Sequence, residues 1–120
     1  MPFDLARTTH AFHARGYGGT QTVVARDPLD SEQVRLVREH LQVEAARFAT
    51  GDFSDPALLH GDRMPGLAEL REAAGRLRVR YEDVPGGGRI RYSSSDPELV
   101  RALHRWFAAQ TSDHAEHARP

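Results

Sequence analysis

Two stretches of this chain repeat one another, and that repetition constrains the fold more than any single motif does. "GGTQTVVARDP" (18–28) parallels "GGRIRYSSSDP" (87–97). "VRLVREHL" (34–41) parallels "VRALHRWF" (100–107) once three extra residues are allowed at the start of the first helix. A repeat of about 65 residues means one supersecondary unit used twice.

Local patterning says what the unit is. "TTHAFH", "RGYGG" and "TQTVVA" read as strand, glycine turn and strand. The period then changes from two to about 3.6. Val34, Val37, Leu41, Ala45 and Phe48 form an apolar helical stripe, with Asp30 and Gln33 spaced as a capping box and Gly51 as the stop. The second half follows the same plan. "LRVRYEDV" puts Leu77, Val79 and Tyr81 on one face, "PGGG" turns the chain, and "RIRY" returns with Ile90 and Tyr92 inward. "SSSDPELVRALHRWFAAQ" is a helix with Ser95 and Glu98 as its capping box, Pro97 in the first turn, and Leu99, Val100, Leu103 and Phe107 as its stripe.

The expected fold is therefore α+β. Duplicated ββα units form a four-stranded antiparallel sheet with two main helices on one face. A short helix in "PGLAELREAAG" belongs to the connection. The expected organisation is a single domain over 1–120, with repeat one at 8–50, the connection at 51–75, repeat two at 76–110 and a C-terminal tail at 111–120.

Composition removes several chemistries. There is no cysteine, so disulfides, thiolate zinc sites and cysteine nucleophiles are excluded. All 16 Lys+Arg residues are arginine, which excludes a Schiff-base lysine and a Walker-type phosphate loop. Net charge is -1, so nothing pulls the whole chain toward nucleic acid or anionic membrane. "MPFDLARTTH" has no apolar leader core, which makes cytoplasmic the expected location, or periplasmic for a mature form.

The long connection and the seven histidines carry the functional expectation. Imidazole and thioether suit copper first and zinc second. His60 and Met64 lie in "GDFSDPALLHGDRMPGL" and are the expected primary ligands. His10 falls at an inward strand position, His40 and His104 lie on the flanks of the two long helices, and His114 lies in the tail. Any of these is placed to complete the shell. Arg76, Arg78, Arg80, Arg89 and Arg91 are expected on the outer face of hairpin two. Alternation sends Tyr81 and Tyr92 to the other face, and Glu82 and Asp83 dilute the charge, so the expectation is a solvated face without a nucleic-acid or membrane partner.

"MPFDLARTTHAF", "GDFSDPALLHGDRMPGLAEL", "LHRWF" and "SDH" together resemble a family of small bacterial proteins commonly labelled aspartate carbamoyltransferase. The resemblance implies His10, His40, His60, Met64, His104 and His114 as motif positions. Family members tend to read His-x-His-Gly where this chain has "LLHG", with Leu58 in place of the first histidine, and they often carry an export leader and a His-rich tail. Those features suit copper or zinc handling. Carbamoyltransferase activity is not expected. The Ser-Thr-Arg-Thr-Arg loop and the His-Pro-x-Gln motif of that chemistry are absent here.

The leading expectation is a small copper- or zinc-binding protein that is not an enzyme. The second is a non-metal interaction module, or a small-ligand-binding homodimer joined through an exposed sheet edge. The third is a small acid–base enzyme with its pocket under the connection.

Overall fold

In the computed structural model of the protein, residue 3 and residues 5–52, 65–73 and 75–118 are described. After a short 3-10 turn (Leu5–Arg7) come β1 (Thr8–Arg15), β2 (Gly18–Ala25), α1 (Ser31–Ala49), α2 (Leu67–Arg71), β3 (Arg78–Val84), β4 (Gly87–Ser93) and α3 (Pro97–Ala118). The strands form one antiparallel sheet in the order β1-β2-β4-β3. This is the duplicated ββα architecture that the repeat implies.

The strand register makes the duplication geometric. Aligning Gly18 with Gly87 makes Gln21 the counterpart of Ile90, and these two residues pair directly across β2 and β4. Gly19 pairs with Tyr92, while their counterparts, Gly88 and Val23, pair with each other. A pseudo-two-fold axis therefore passes between Gln21 and Ile90. The double glycine opening each inner strand has a steric cause: a β-carbon on Gly18 would strike the Tyr92 carbonyl, and one on Gly87 would strike the carbonyl of Val23. Val23 and Tyr92 are themselves counterparts, so the same close approach is made twice.

The helices cross over. α1 lies mainly on β3 and β4, and α3 mainly on β1 and β2. Each unit's helix thus covers the other unit's hairpin, and neither unit has a complete core alone. Between sheet and helices lie Val23, Val37, Leu41, Phe48, Ile90, Tyr92, Leu103, Trp106 and Phe107, all buried. Trp106 meets Phe48 and Tyr92 edge-on, at centroid distances of 5.7 and 5.9 Å, a favourable aromatic geometry.

Several local expectations need correcting. Gln33 and Glu44 join the buried stripe of α1, whereas Val34 is only half-buried. On α3, Trp106 is fully buried and Val100 half-buried. The α3 cap is Asp96 rather than Ser95: its Oδ1 accepts from the Glu98 amide at 2.9 Å, and its carbonyl accepts from the Val100 amide. That places Pro97 at the first helical position, where its missing N–H costs nothing. The helix then continues to Ala118, through most of the segment expected as a tail. Asp30 does cap α1, accepting from the Gln33 amide at 3.3 Å.

Candidate functional site

Three of the singled-out histidines can be placed in full. His10 stands opposite fully buried Val23, on the face that the helices cover. Its Nε2 is 3.4 Å from the Thr8 hydroxyl, and its ring lies 5.5 Å from that of Phe3. His40, on α1, lies 5.5 Å from the same Phe3 ring. Its Nε2 is 3.2 Å from Oε1 of Glu44, one turn further along the helix. Glu44 is buried, and its charge also bears on Tyr92. Burial first, and the Glu44 carboxylate second, hold the Tyr92 hydroxyl well above its ordinary range. Phe3 thus lies against both imidazoles, and His40 in turn against a buried carboxylate.

His104 has a different role. Its Nε2 lies 2.9 Å from the Arg15 carbonyl and 2.8 Å from that of Gly18. Carbonyl oxygens only accept, so Nε2 carries a proton and donates to both. That nitrogen holds the β1–β2 turn and has no lone pair for a metal, which leaves only Nδ1 for coordination. His60 and Met64, together with the side chain of His114, lie outside the described residues. Among the described residues no group of three or more His, Asp or Glu side chains is gathered to hold a metal ion.

The opposite face of the sheet carries four of the five arginines expected there, Arg78, Arg80, Arg89 and Arg91, together with Arg15. Register sets its rows. Arg15, Gly18, Ser93 and Arg78 lie across one end, followed by His13, Thr20, Arg91 and Arg80, and then by Ala11, Thr22, Arg89 and Glu82. Five arginines therefore share this face with one glutamate. Arg89 donates to the Thr22 hydroxyl at 3.0 Å and pairs with Glu82 at 3.4 Å. Arg15, Arg78, Arg80 and Arg91 are exposed and, among the described residues, pair with no carboxylate.

Asp83, expected to dilute this charge, turns to the helix side. It accepts from the Tyr81 hydroxyl at 2.5 Å and faces Arg38 at 3.6 Å. Arg76 lies just before β3 and pairs with Asp96 at 3.1 Å. The face also has an aromatic. Tyr17, in the β1–β2 turn, is 39% exposed, and its ring centroid lies 5.4 Å from the guanidinium carbon of Arg91. Strand alternation cannot assign a turn residue to either face, so this tyrosine escaped the sequence reading. Only the adjacency of "RGYGG" to a predicted hairpin end hinted at it.

Among the described residues no helix is long and apolar enough to cross a membrane. No family model, curated protein or solved structure matches this chain.

Proposed function

We propose that this protein is a binding domain that takes an anionic partner on the open face of its sheet. The observation behind this reading is the exposed set Arg15, Arg78, Arg80 and Arg91, without carboxylate partners, on a chain whose net charge is only -1. Charge so segregated creates a local potential that the net value hides. Burying four guanidinium groups without counter-ions is costly, so the face stays open until an anion covers it. The test is titration with heparin over a range of salt concentrations. Binding should weaken steeply as salt rises, and the triple variant R78E/R80E/R91E should lose it while melting at the wild-type temperature. Absence of binding at low salt, or equal binding by the variant, would sink this reading.

A second reading, a copper or zinc site, is favoured by the convergence of His10 and His40 on Phe3 beside Glu44. His60 and Met64 would be its primary ligands, with His10, His40 or His114 completing the shell. Protein equilibrated with Cu(II) or Zn(II) and desalted should keep about one ion, as a single His/Met site requires. His60→Ala should lose it, and equal retention by both forms would count against the site.

A further inference from the structure

We propose that the anionic partner is single-stranded nucleic acid, with Tyr17 stacking on a base and Arg78, Arg80 and Arg91 holding phosphates. This rests on the reading of the open face given above and names the partner class for it. Three observations carry it.

The first is spacing. Arg78 and Arg80 are two residues apart on β3, about 7 Å along the strand, and Arg91 stands directly across from Arg80 on β4, about 5 Å away. Such a grid matches the phosphate step of an extended strand. The second is the aromatic. Sequence-independent single-strand binding needs a cationic track and an exposed ring beside it, because every base has a π-face. Tyr17 lies next to Arg91, and its carbonyl is tied to the Ser94 amide at 3.0 Å, which fixes the turn against the end of β4. The third is shape. A hollow of about 570 Å³, lined by Arg76, Arg78, Ser93, Ser94, Ser95 and Asp96, opens at that same end. Arg78 and Ser93 belong to both the hollow and the face, so the track runs into a polar recess where the Ser94 hydroxyl is bonded to the Arg76 carbonyl and the Asp96 carboxylate is neutralised by Arg76.

Other anionic surfaces fit less well. A broad four-stranded sheet cannot enter a duplex groove that admits a helix or a two-stranded ribbon. Nor does the face bear an apolar rim for a lipid bilayer: among the described residues, apart from Tyr17, the large exposed hydrophobics are Leu29 and Val43, which lie in the loop before α1 and on α1 itself.

The test compares a labelled oligothymidylate with an abasic strand of equal length, so that charge is matched and only the bases differ. Wild-type protein should bind the oligothymidylate about ten-fold more tightly. Tyr17→Ala should erase that preference, so that the two strands bind alike, and Tyr17→Phe should restore it. R78E/R80E/R91E should weaken both ligands. Equal binding of the two strands by wild type, or a Tyr17→Ala variant that keeps the preference, overturns the nucleic-acid inference and leaves a general anion-binding face standing. Binding of neither strand nor heparin at low salt overturns both.

Discussion

His104 and Arg38 are counterparts in the two repeats, and each ties the hairpin of the other repeat to its own helix. Arg38 donates to the carbonyls of Val84 and Gly87, at 3.0 and 2.9 Å. His104 donates to Arg15 and Gly18, the counterparts of Val84 and Gly87. One geometric task, closing the end of a two-residue turn from above, is met by guanidinium on one side and imidazole on the other. The helix crossover is thus locked at both ends of the molecule.

Removing either clamp should loosen one hairpin without unfolding the other. His104→Ala and Arg38→Ala should each cost about 1–2 kcal/mol, as expected for hydrogen bonds to buried or half-buried carbonyls. The clamps share no partner, so the double variant should lose close to the sum. Urea midpoints of the four proteins check this. Nitrogen-15 spectra of the imidazoles should also show a proton on Nε2 of His104.

The paired glycines make a sharper demand. Gly18→Ala and Gly87→Ala each force a β-carbon toward a carbonyl of the neighbouring central strand. Each should cost about 1–3 kcal/mol, the usual range for overpacking. Gly16→Ala, where a β-carbon meets nothing within 4 Å, is the control and should be nearly neutral in thermal melts.

Alkaline pH should destabilise the fold through two tyrosines. Burial, and then the hydrogen bond donated to Asp83, push the Tyr81 hydroxyl up from 10.0 to about 12. Tyr92 is raised in the same direction by its burial. The unfolded chain releases these protons first. Stability is therefore full below pH 10 and falls as pH rises from 10 toward 12. Melting temperature against pH should show this decline, and Tyr81→Phe should make it shallower. An unchanged slope in that variant would remove Tyr81 from the account. Tyr92→Phe should also lose the 2.9 Å bond to Gln21, costing about 1 kcal/mol at neutral pH.

Trp106 is the centre of the aromatic core. Trp106→Ala should cost about 3–5 kcal/mol, because its neighbours cannot close a cavity of that size. Denaturant titration followed by far-UV circular dichroism would show the shifted midpoint.

The sequence by itself determined the architecture. Period-two runs, a change to helical spacing and a repeated "GG…DP" frame each depend on residues near one another in the chain, and near-neighbour periodicity sets which face of a strand or helix is apolar. Even the counterpart relation of His10 to Val79 could be read that way, and both residues do face the helices. Local spacing sufficed for the Asp30 cap, but tertiary structure alone decided the long-range polar contacts. Nothing local tells His104 that its nitrogen will meet two carbonyls eighty-odd residues away, or Asp83 that Arg38 of the first long helix will face it. Nor does anything local seat Tyr17 beside an arginine from the other repeat. Those outcomes follow from how the two units dock about the Gln21–Ile90 axis, since a hydrogen bond or a charged surface belongs to whichever groups the docking brings within a few ångströms.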